Sequence, residues 1–326
     1  MTSLPIPHYG SVPTVLLNDG RTIVPWIGFG TGTALYNGDA TKPVVAALEA
    51  GFLHLDGAQM YGNEDTLGAG LVQFLKSQNQ VTRKDVFVTT KLAGVKYGGS
   101  KAETAEEALD KSLKKLGLDY VDLYLIHSPA SHLEKNGGPG LRKVWESMVK
   151  TTEGPNPKAR AIGVSNFKKS HLEELIGPKG SEVKIKPAVN QIELHLHSWA
   201  DPEVRAAVEF GKEYGIVAAS YGGLRPLFGS LPSGATRITD KVKAVTDQYS
   251  QRNGYQVTDN QVLNLWLKQK GILVITTTSN SERARDFVRT GELKPLSDEE
   301  IRQLEDAGSS DPSLRGYHWF GGMWKD

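Results

Sequence analysis

A chain of 326 residues with 39% hydrophobic content is long enough to bury a substantial core, and 38 basic against 37 acidic side chains give no net attraction to nucleic acid or an anionic membrane. The absence of cysteine excludes disulfides, thiolate metal sites and cysteine nucleophiles. No segment approaches the roughly 20 apolar residues that span a bilayer, and MTSLPIPHYG lacks a basic region followed by an apolar run, so a cytoplasmic protein with a small-molecule partner is expected.

The first element signal is TVLLNDGRTIV, whose Asp-Gly pair predicts a β-hairpin. Beyond it, short apolar runs alternate with segments of helical period. Strands are expected at Ile27–Gly30, Phe52–Asp56, Val86–Lys91, Tyr120–His127, Ala161–Ser165, Ala188–Glu193, Ile216–Tyr221 and Leu273–Thr276. Helices such as TKPVVAALEA, AEEALDKSLKKLG, SHLEELIG, DPEVRAAVEFGKEYG and TDNQVLNLWLKQKG fall between them, with Ser170 and Asp201 as N-caps and Gly117, Gly215 and Gly271 as stops.

Eight strands alternating with helices predict an α/β protein built as a (β/α)8 TIM barrel, one domain over residues 1–326. The stretches Gly222–Thr239 and SPASHLEKNGGPG are too long for ordinary connections and are expected to be functional or mobile loops. The aromatic-rich end, DPSLRGYHWFGGMWKD, is expected to pack on the body, so that long loops and a C-terminal tail cover the active face.

In such a barrel the active face is made by the C-terminal strand ends. Three strands end in reactive groups, Asp56, Lys91 and His127, and Tyr61 lies in the loop after the second strand. Read singly, these are a turn acceptor, a solvated cation, a structural imidazole and a loop phenol. Read together they suit carbonyl reduction. An ammonium at Lys91 is expected to lower the pKa of Tyr61, Asp56 to supply the counter-charge that a buried lysine needs, and His127 to donate to a carbonyl oxygen.

The runs LDGAQMYGNE, TTKL, LDYVDLYLIHSP, AIGVSNF, PAVNQIE and ASYGGL resemble the aldo-keto reductase family in residue type, order and spacing over nearly the whole chain. The resemblance implies a barrel without a Rossmann domain that binds NADPH (or NADP+) across its mouth, with Asp56, Tyr61, Lys91 and His127 as the catalytic tetrad and Tyr61 as proton donor. It carries the nicotinamide amide onto Ser165, Asn166 and Gln191 and ring stacking onto Tyr221. Gly30 and Thr31 are then expected beneath the nicotinamide, beside Asp56, and Gly222 and Leu224 near the pyrophosphate. GFGTGT is a decoy for a dinucleotide fingerprint, since its sixth position is Thr33.

At the adenosine end VITTTSNSERARDF departs from the family's Pro-Lys-Ser pattern. Thr277 replaces the usual lysine, so NADH use stays open, while Thr277, Thr278, Ser279 and Arg283 are expected to bind phosphate and to favour NADPH. The triple threonine, GTGT and HSP resemble a fungal branch that includes conjugated polyketone, ketopantoyl lactone and α-keto amide reductases. Gly32 and Ser128 stand where that wider family often has bulky residues, which implies a larger cavity for aldehydes or activated ketones. Gly57 replaces a frequent Thr or Ser and is expected to loosen support for the tetrad. His195 and His197 share a face but lack a third ligand, so no metal is expected.

The competing readings are a nicotinamide-sensing regulatory subunit on the same barrel, with little turnover, and a barrel isomerase using Lys91 and His127. The latter leaves Asp56, Tyr61 and Gln191 without a role. A monomer is expected, with a dimer left open.

Overall fold

The computed structural model describes residues 12–94, 104–136, 138–177 and 183–321. The N-terminal MTSLPIPHYG and the last five residues of the tail lie outside them. The hairpin forms from β1 (Thr14–Leu16) and β2 (Ile23–Pro25), with Gly20 at φ +70° closing its turn. Asp19 fastens that turn by accepting from the Thr22 N–H at 2.9 Å and the Thr22 hydroxyl at 2.6 Å. Asn18 then donates to the Pro187 carbonyl at 2.8 Å, so the hairpin sits at the strand-entry end of the barrel, opposite the active face.

The barrel strands are β3 (Ile27–Gly30), β4 (His54–Asp56), β5 (Phe87–Leu92), β6 (Val121–Ile126), β7 (Ala159–Ser165), β8 (Val189–Glu193), β9 (Val217–Tyr221) and β10 (Leu273–Thr276). They pair in parallel in chain order, and β10 closes on β3. Both faces of such a sheet are covered, and β5 and β6 are accordingly buried at every position. The fourth strand stops one residue earlier than expected, at Ile126. His127 continues the ladder only through its N–H, 3.1 Å from the Leu92 carbonyl.

Between and after these strands lie α1 (Thr41–Glu49), α2 (Glu64–Ser77), α3 (Ala105–Leu116), α4 (Leu141–Lys150), α5 (Lys169–Ile176), α6 (Leu196–Trp199), α7 (Pro202–Glu213), α8 (Arg225–Phe228), α9 (Thr239–Asn253), α10 (Asp259–Gln269), α11 (Ser281–Arg289) and α12 (Asp298–Ser309). Helix α3 shows why these segments stop and start where they do. Thr104 and Glu107 form a capping box, acidic residues fill the first turn, lysines the last, and Gly117 ends it at φ +66°. Its buried Ala108, Leu109, Ser112, Leu113 and Leu116 recur at helical spacing.

Asp201 caps α7 as expected, accepting from the Glu203 N–H. Ser170 does not cap, because α5 begins at Lys169 and takes Ser170 into its first turn. Nor is Gly222–Thr239 wholly a loop: it folds α8, and α9 starts at its last residue. The segment after His127 contains a 3-10 turn at Glu134–Asn136 and closes through the Gly140 N–H on the His132 carbonyl.

Register carries the site. Gly30 pairs with Asp56, Asp56 with Thr89, Lys91 with Leu125, Leu125 with Gly163, Ser165 with Gln191, Glu193 with Tyr221, and Tyr221 with Ile275. Paired residues in parallel strands face the same way, and so do residues two apart. Gly30, Asp56, Lys91, Ser165, Gln191, Glu193 and Tyr221 therefore share the interior face near the strand ends.

Candidate active site

Lys91 is fully buried next to the end of an otherwise apolar and hydroxyl-bearing strand. An ammonium there is costly unless each N–H is used, and all three are. Lys91 Nζ donates to Asp56 Oδ1 at 2.5 Å, to the Gly57 carbonyl at 3.0 Å and to the Tyr61 hydroxyl at 3.1 Å. The other Asp56 oxygen accepts from Gln191 Nε2 at 2.8 Å, which ties β4 to β8 across the barrel. Gly57 supports Lys91 through its backbone, so the missing Thr or Ser side chain costs no bond to the ammonium.

Tyr61 ends a 3-10 turn, Gln59–Tyr61, directly after β4. Gln59 anchors that turn by donating to the Ala108 carbonyl at 2.8 Å and accepting from the Ala93 N–H at 2.8 Å. The chain leaves it through Gly62 at φ +67°, where a Cβ would lie 2.3 Å from Asn37 Oδ1. The His127 ring stands edge-on to the phenol, with centroids 5.4 Å apart.

Burial raises the Tyr61 pKa more than the Lys91 ammonium lowers it, and the Asp56 charge adds to the rise. The net shift is upward from 10.0, against the expectation of a lowered value. Tyr61 is thus a protonated phenol at neutral pH. Burial opposes the charge on Lys91, but the Asp56 carboxylate and the Tyr61 oxygen together outweigh it and hold the ammonium above its usual 10.5. His127 is pushed well below 6.5 by burial and by Lys91, so it is a neutral imidazole. Its Nδ1 is buried with no partner among the described residues.

A cavity of about 780 Å³ opens above these groups. Of the residues expected in the site, Gly30, Asp56, Tyr61, His127, Ser165, Asn166, Gln191, Tyr221, Gly222, Leu224, Thr277 and Arg283 line it. Lys91 lies beneath the lining. Thr31, expected under the nicotinamide, is fully buried, with its hydroxyl 3.3 Å from the Asp56 carbonyl and from Asn63 Oδ1. It braces the strand end from behind. Thr278 accepts from the Asn280 N–H at 3.1 Å in the turn before α11, and neither it nor Ser279 lines the cavity.

The cluster on β7, β8 and β9 suits a carboxamide. Ser165 Oγ donates to the Gln191 carbonyl at 2.7 Å, Asn166 Nδ2 donates to the His127 carbonyl at 2.9 Å and to Ser165 Oγ at 3.1 Å, and the Tyr221 hydroxyl donates to Asn166 Oδ1 at 2.7 Å. These bonds hold Asn166 at φ +63°. Oxygen lone pairs remain on Ser165, Asn166 and Gln191 beside the Tyr221 ring, acceptors that fit the amide N–H groups of a nicotinamide.

Gly32 lines the cavity without widening it as expected. A Cβ there would lie 2.4 Å from Tyr61 Cζ, so the phenol fills the space a larger side chain would claim. Ser128 is buried, accepts from the Ala130 N–H at 3.3 Å and lies outside the cavity lining.

The tail contributes what sequence reasoning left unassigned. The N–H groups of Trp319 and Phe320 donate to the two oxygens of buried Glu193 at 2.7 and 2.8 Å, and Phe320 lines the cavity with its ring 5.7 Å from that of Tyr221. Burial works against the Glu193 charge, but His195, His318 and the Phe320 N–H together outweigh it and hold the pKa at about 2. His195 accepts from the Ser198 N–H and so carries its proton on Nε2, facing Glu193 at 3.1 Å. His197 bonds the Gly308 carbonyl at 2.8 Å. Both histidines are thereby engaged in packing the tail. Arg225, also unassigned from sequence, lines the cavity in the GGLR turn.

The model of the Aldo/keto reductase family matches residues 27–308. The D/L-glyceraldehyde reductase of Hypocrea jecorina is 35% identical over 312 residues, covering 90% of this chain and 87% of the relative. The NAD/NADP-dependent indole-3-acetaldehyde reductase of Schizosaccharomyces pombe is 35% identical over 270 residues, covering 81% and 84%. A solved aldo-keto reductase of Bombyx mori in complex with NADP superposes with a TM-score of 0.75 at 28% identity, covering 91% of this chain and 92% of that one.

Proposed function

This chain belongs to the aldo/keto reductase family and is an NAD(P)H-dependent oxidoreductase, and from that premise we propose that it reduces aldehydes or activated ketones to alcohols with NADPH, Tyr61 giving the proton. The observation that carries this reading is the Lys91 ammonium held between Asp56 and the Tyr61 hydroxyl under a cavity of about 780 Å³.

When bound, the reduced nicotinamide supplies a hydride to the carbonyl carbon. Tyr61, protonated at neutral pH, donates its phenolic proton to the carbonyl oxygen. Lys91, already hydrogen-bonded to that hydroxyl, stabilises the phenolate left behind, and Asp56 keeps Lys91 charged and in place. Neutral His127 donates from its Nε2 to the same carbonyl oxygen and orients the substrate. Ser165, Asn166 and Gln191 bind the nicotinamide amide, and Tyr221 covers one ring face.

Gly222 and Leu224, which line the cavity, would hold the pyrophosphate through their backbone. Arg283 and Thr277, which line the cavity, would hold the 2′-phosphate with help from the turn at Thr278 and Ser279, which favours NADPH. Similarity to reductases of glyceraldehyde and indole-3-acetaldehyde supports an aldehyde or related small carbonyl compound as the substrate.

Tyr61→Phe is the test. It should cut kcat for a reactive aldehyde or diketone by about 10²–10⁴-fold while NADPH binding, followed by tryptophan fluorescence, stays near the wild-type value. Near-normal turnover in the variant would remove Tyr61 from the mechanism. Negligible turnover by the wild-type chain across a carbonyl panel, with tight NADPH binding, would favour a sensing role instead.

A further inference from the structure

Two guanidinium groups, Arg225 and Arg283, line the same cavity, and neither has a carboxylate partner among the described residues. They arrive from different strands. Arg283 lies on α11 after β10, with Phe287 one turn further on the same wall. Arg225 follows β9, four residues beyond Tyr221, and opens α8. The neutral Thr277 lies on the cavity wall at the end of β10. A dinucleotide spread from Tyr221 to Arg283 would carry its pyrophosphate between them, and Arg225 is the second cation lining the cavity among the described residues.

Arg225 is also held in place. Its N–H donates to the Gly222 carbonyl at 2.9 Å, in a turn that needs Gly222 at φ +72°. Its guanidinium lies 4.8 Å from the centre of the Phe320 ring, and the Phe320 N–H is bonded to Glu193. Stacking on an aromatic face fixes the plane of the guanidinium while leaving its N–H edge to bond oxygens. Such pre-positioning lowers the ordering cost of binding an anion.

We propose that Arg225, stacked on Phe320 of the C-terminal tail, is the cation that binds the cofactor pyrophosphate, a role separate from that of Arg283 at the 2′-phosphate. The proposal rests on the NADPH reading above. An anionic substrate carrying a carboxylate offers the same chemistry from a second source, and the experiment separates the two.

Dissociation constants of the full chain for NADPH and NADH, measured by tryptophan fluorescence, test it. Arg225→Ala should weaken both nucleotides by the same factor, about tenfold, because both carry the pyrophosphate. Arg225→Lys, which keeps the charge but loses the stacked planar fork, should bind both nucleotides more tightly than Arg225→Ala and less tightly than wild type. Arg283→Ala should weaken NADPH alone. Unchanged affinities in Arg225→Ala, or a loss confined to NADPH, would overturn the assignment. So would Arg225→Lys as weak as Arg225→Ala, which marks packing rather than charge. A raised KM for a keto acid but not for a neutral aldehyde, with nucleotide affinity unchanged, would give Arg225 to the substrate and also overturn it. A wild-type chain that binds neither nucleotide would instead defeat the NADPH reading itself.

Discussion

The backbone at Gly32 lies against the ring of Tyr61, so that a Cβ at position 32 would approach three ring atoms to between 2.4 and 2.8 Å. No rotamer change at position 32 relieves this contact, because the Cβ position is set by the backbone. Gly32→Ala is expected to displace the phenol and lower kcat at least tenfold, consistent with an overpacking cost of about 1–3 kcal/mol, while NADPH affinity stays within about threefold. Steady-state kinetics beside fluorescence titration measure both. Unaltered kcat would show that the phenol tolerates the shift.

Asp56 is the counter-charge that lets Lys91 stay ionised with none of its side chain exposed. Removing one partner of a buried pair leaves an uncompensated charge, at a cost of about 3–5 kcal/mol. Asp56→Asn should therefore lower Tm measurably as well as abolish turnover. Thermal melts of Asp56→Asn and of the double variant Asp56→Asn/Lys91→Met decide the cause: the double variant should be the more stable of the two. If it is the less stable, burial of an unpaired ammonium is not the source of the loss.

The pH dependence of reduction follows from two shifts of opposite sign. Tyr61 must be protonated to act, and its pKa is raised above 10.0, so activity persists on the alkaline side and falls only as pH rises through that value. His127 must be neutral, and its pKa lies well below 6.5, so no loss is expected as pH falls through 6.5. The kcat for reduction should be flat from about pH 6 to about pH 9. A limb near 6.5 that disappears in His127→Gln would contradict the neutral imidazole.

Glu193 latches the tail to the barrel through two backbone N–H groups, and hydrogen bonds to a charged acceptor contribute about 1.5–3 kcal/mol each. Glu193→Gln keeps the shape and removes the charge. Hydrogen exchange at the Trp319 and Phe320 amides should accelerate at least tenfold, with cofactor affinity falling several-fold as Phe320 loosens. Protection equal to wild type would show that Trp319, through its indole N–H on the Ser230 carbonyl at 2.6 Å, is enough to hold the tail.

Much of the site was legible because parallel strands impose parity. Asp56, Ser165 and Tyr221 end strands, Lys91 and Gln191 lie within two residues of a strand end, and residues two apart or in register must share a face. Thr31 obeys the same parity: it lies one residue past Gly30 and so faces away from the cavity, its N–H still on the Asp56 carbonyl and its hydroxyl buried against that carbonyl and Asn63. Ser170 was a plausible cap in isolation, but α5 starts earlier, at Lys169. The lowered pKa expected for Tyr61 failed for a different reason: a neighbouring charge can be inferred from strand order, whereas the burial that outweighs it depends on everything packed around the ring.

The alternation of strands and helices, the carboxylate, ammonium and imidazole at or next to consecutive strand ends, and the lack of a lysine at Thr277 can all be read along the chain. These are local properties, set by side-chain periodicity and covalent order. Only the tertiary structure decided that Gly32 meets Tyr61, that Glu193 takes the backbone of a tail 126 residues away, and that Arg225 faces the cavity from a stack on Phe320. The physical reason is closure: pairing β10 with β3 sets distances among residues far apart in the chain, and burial, charge balance and steric fit all follow from those distances.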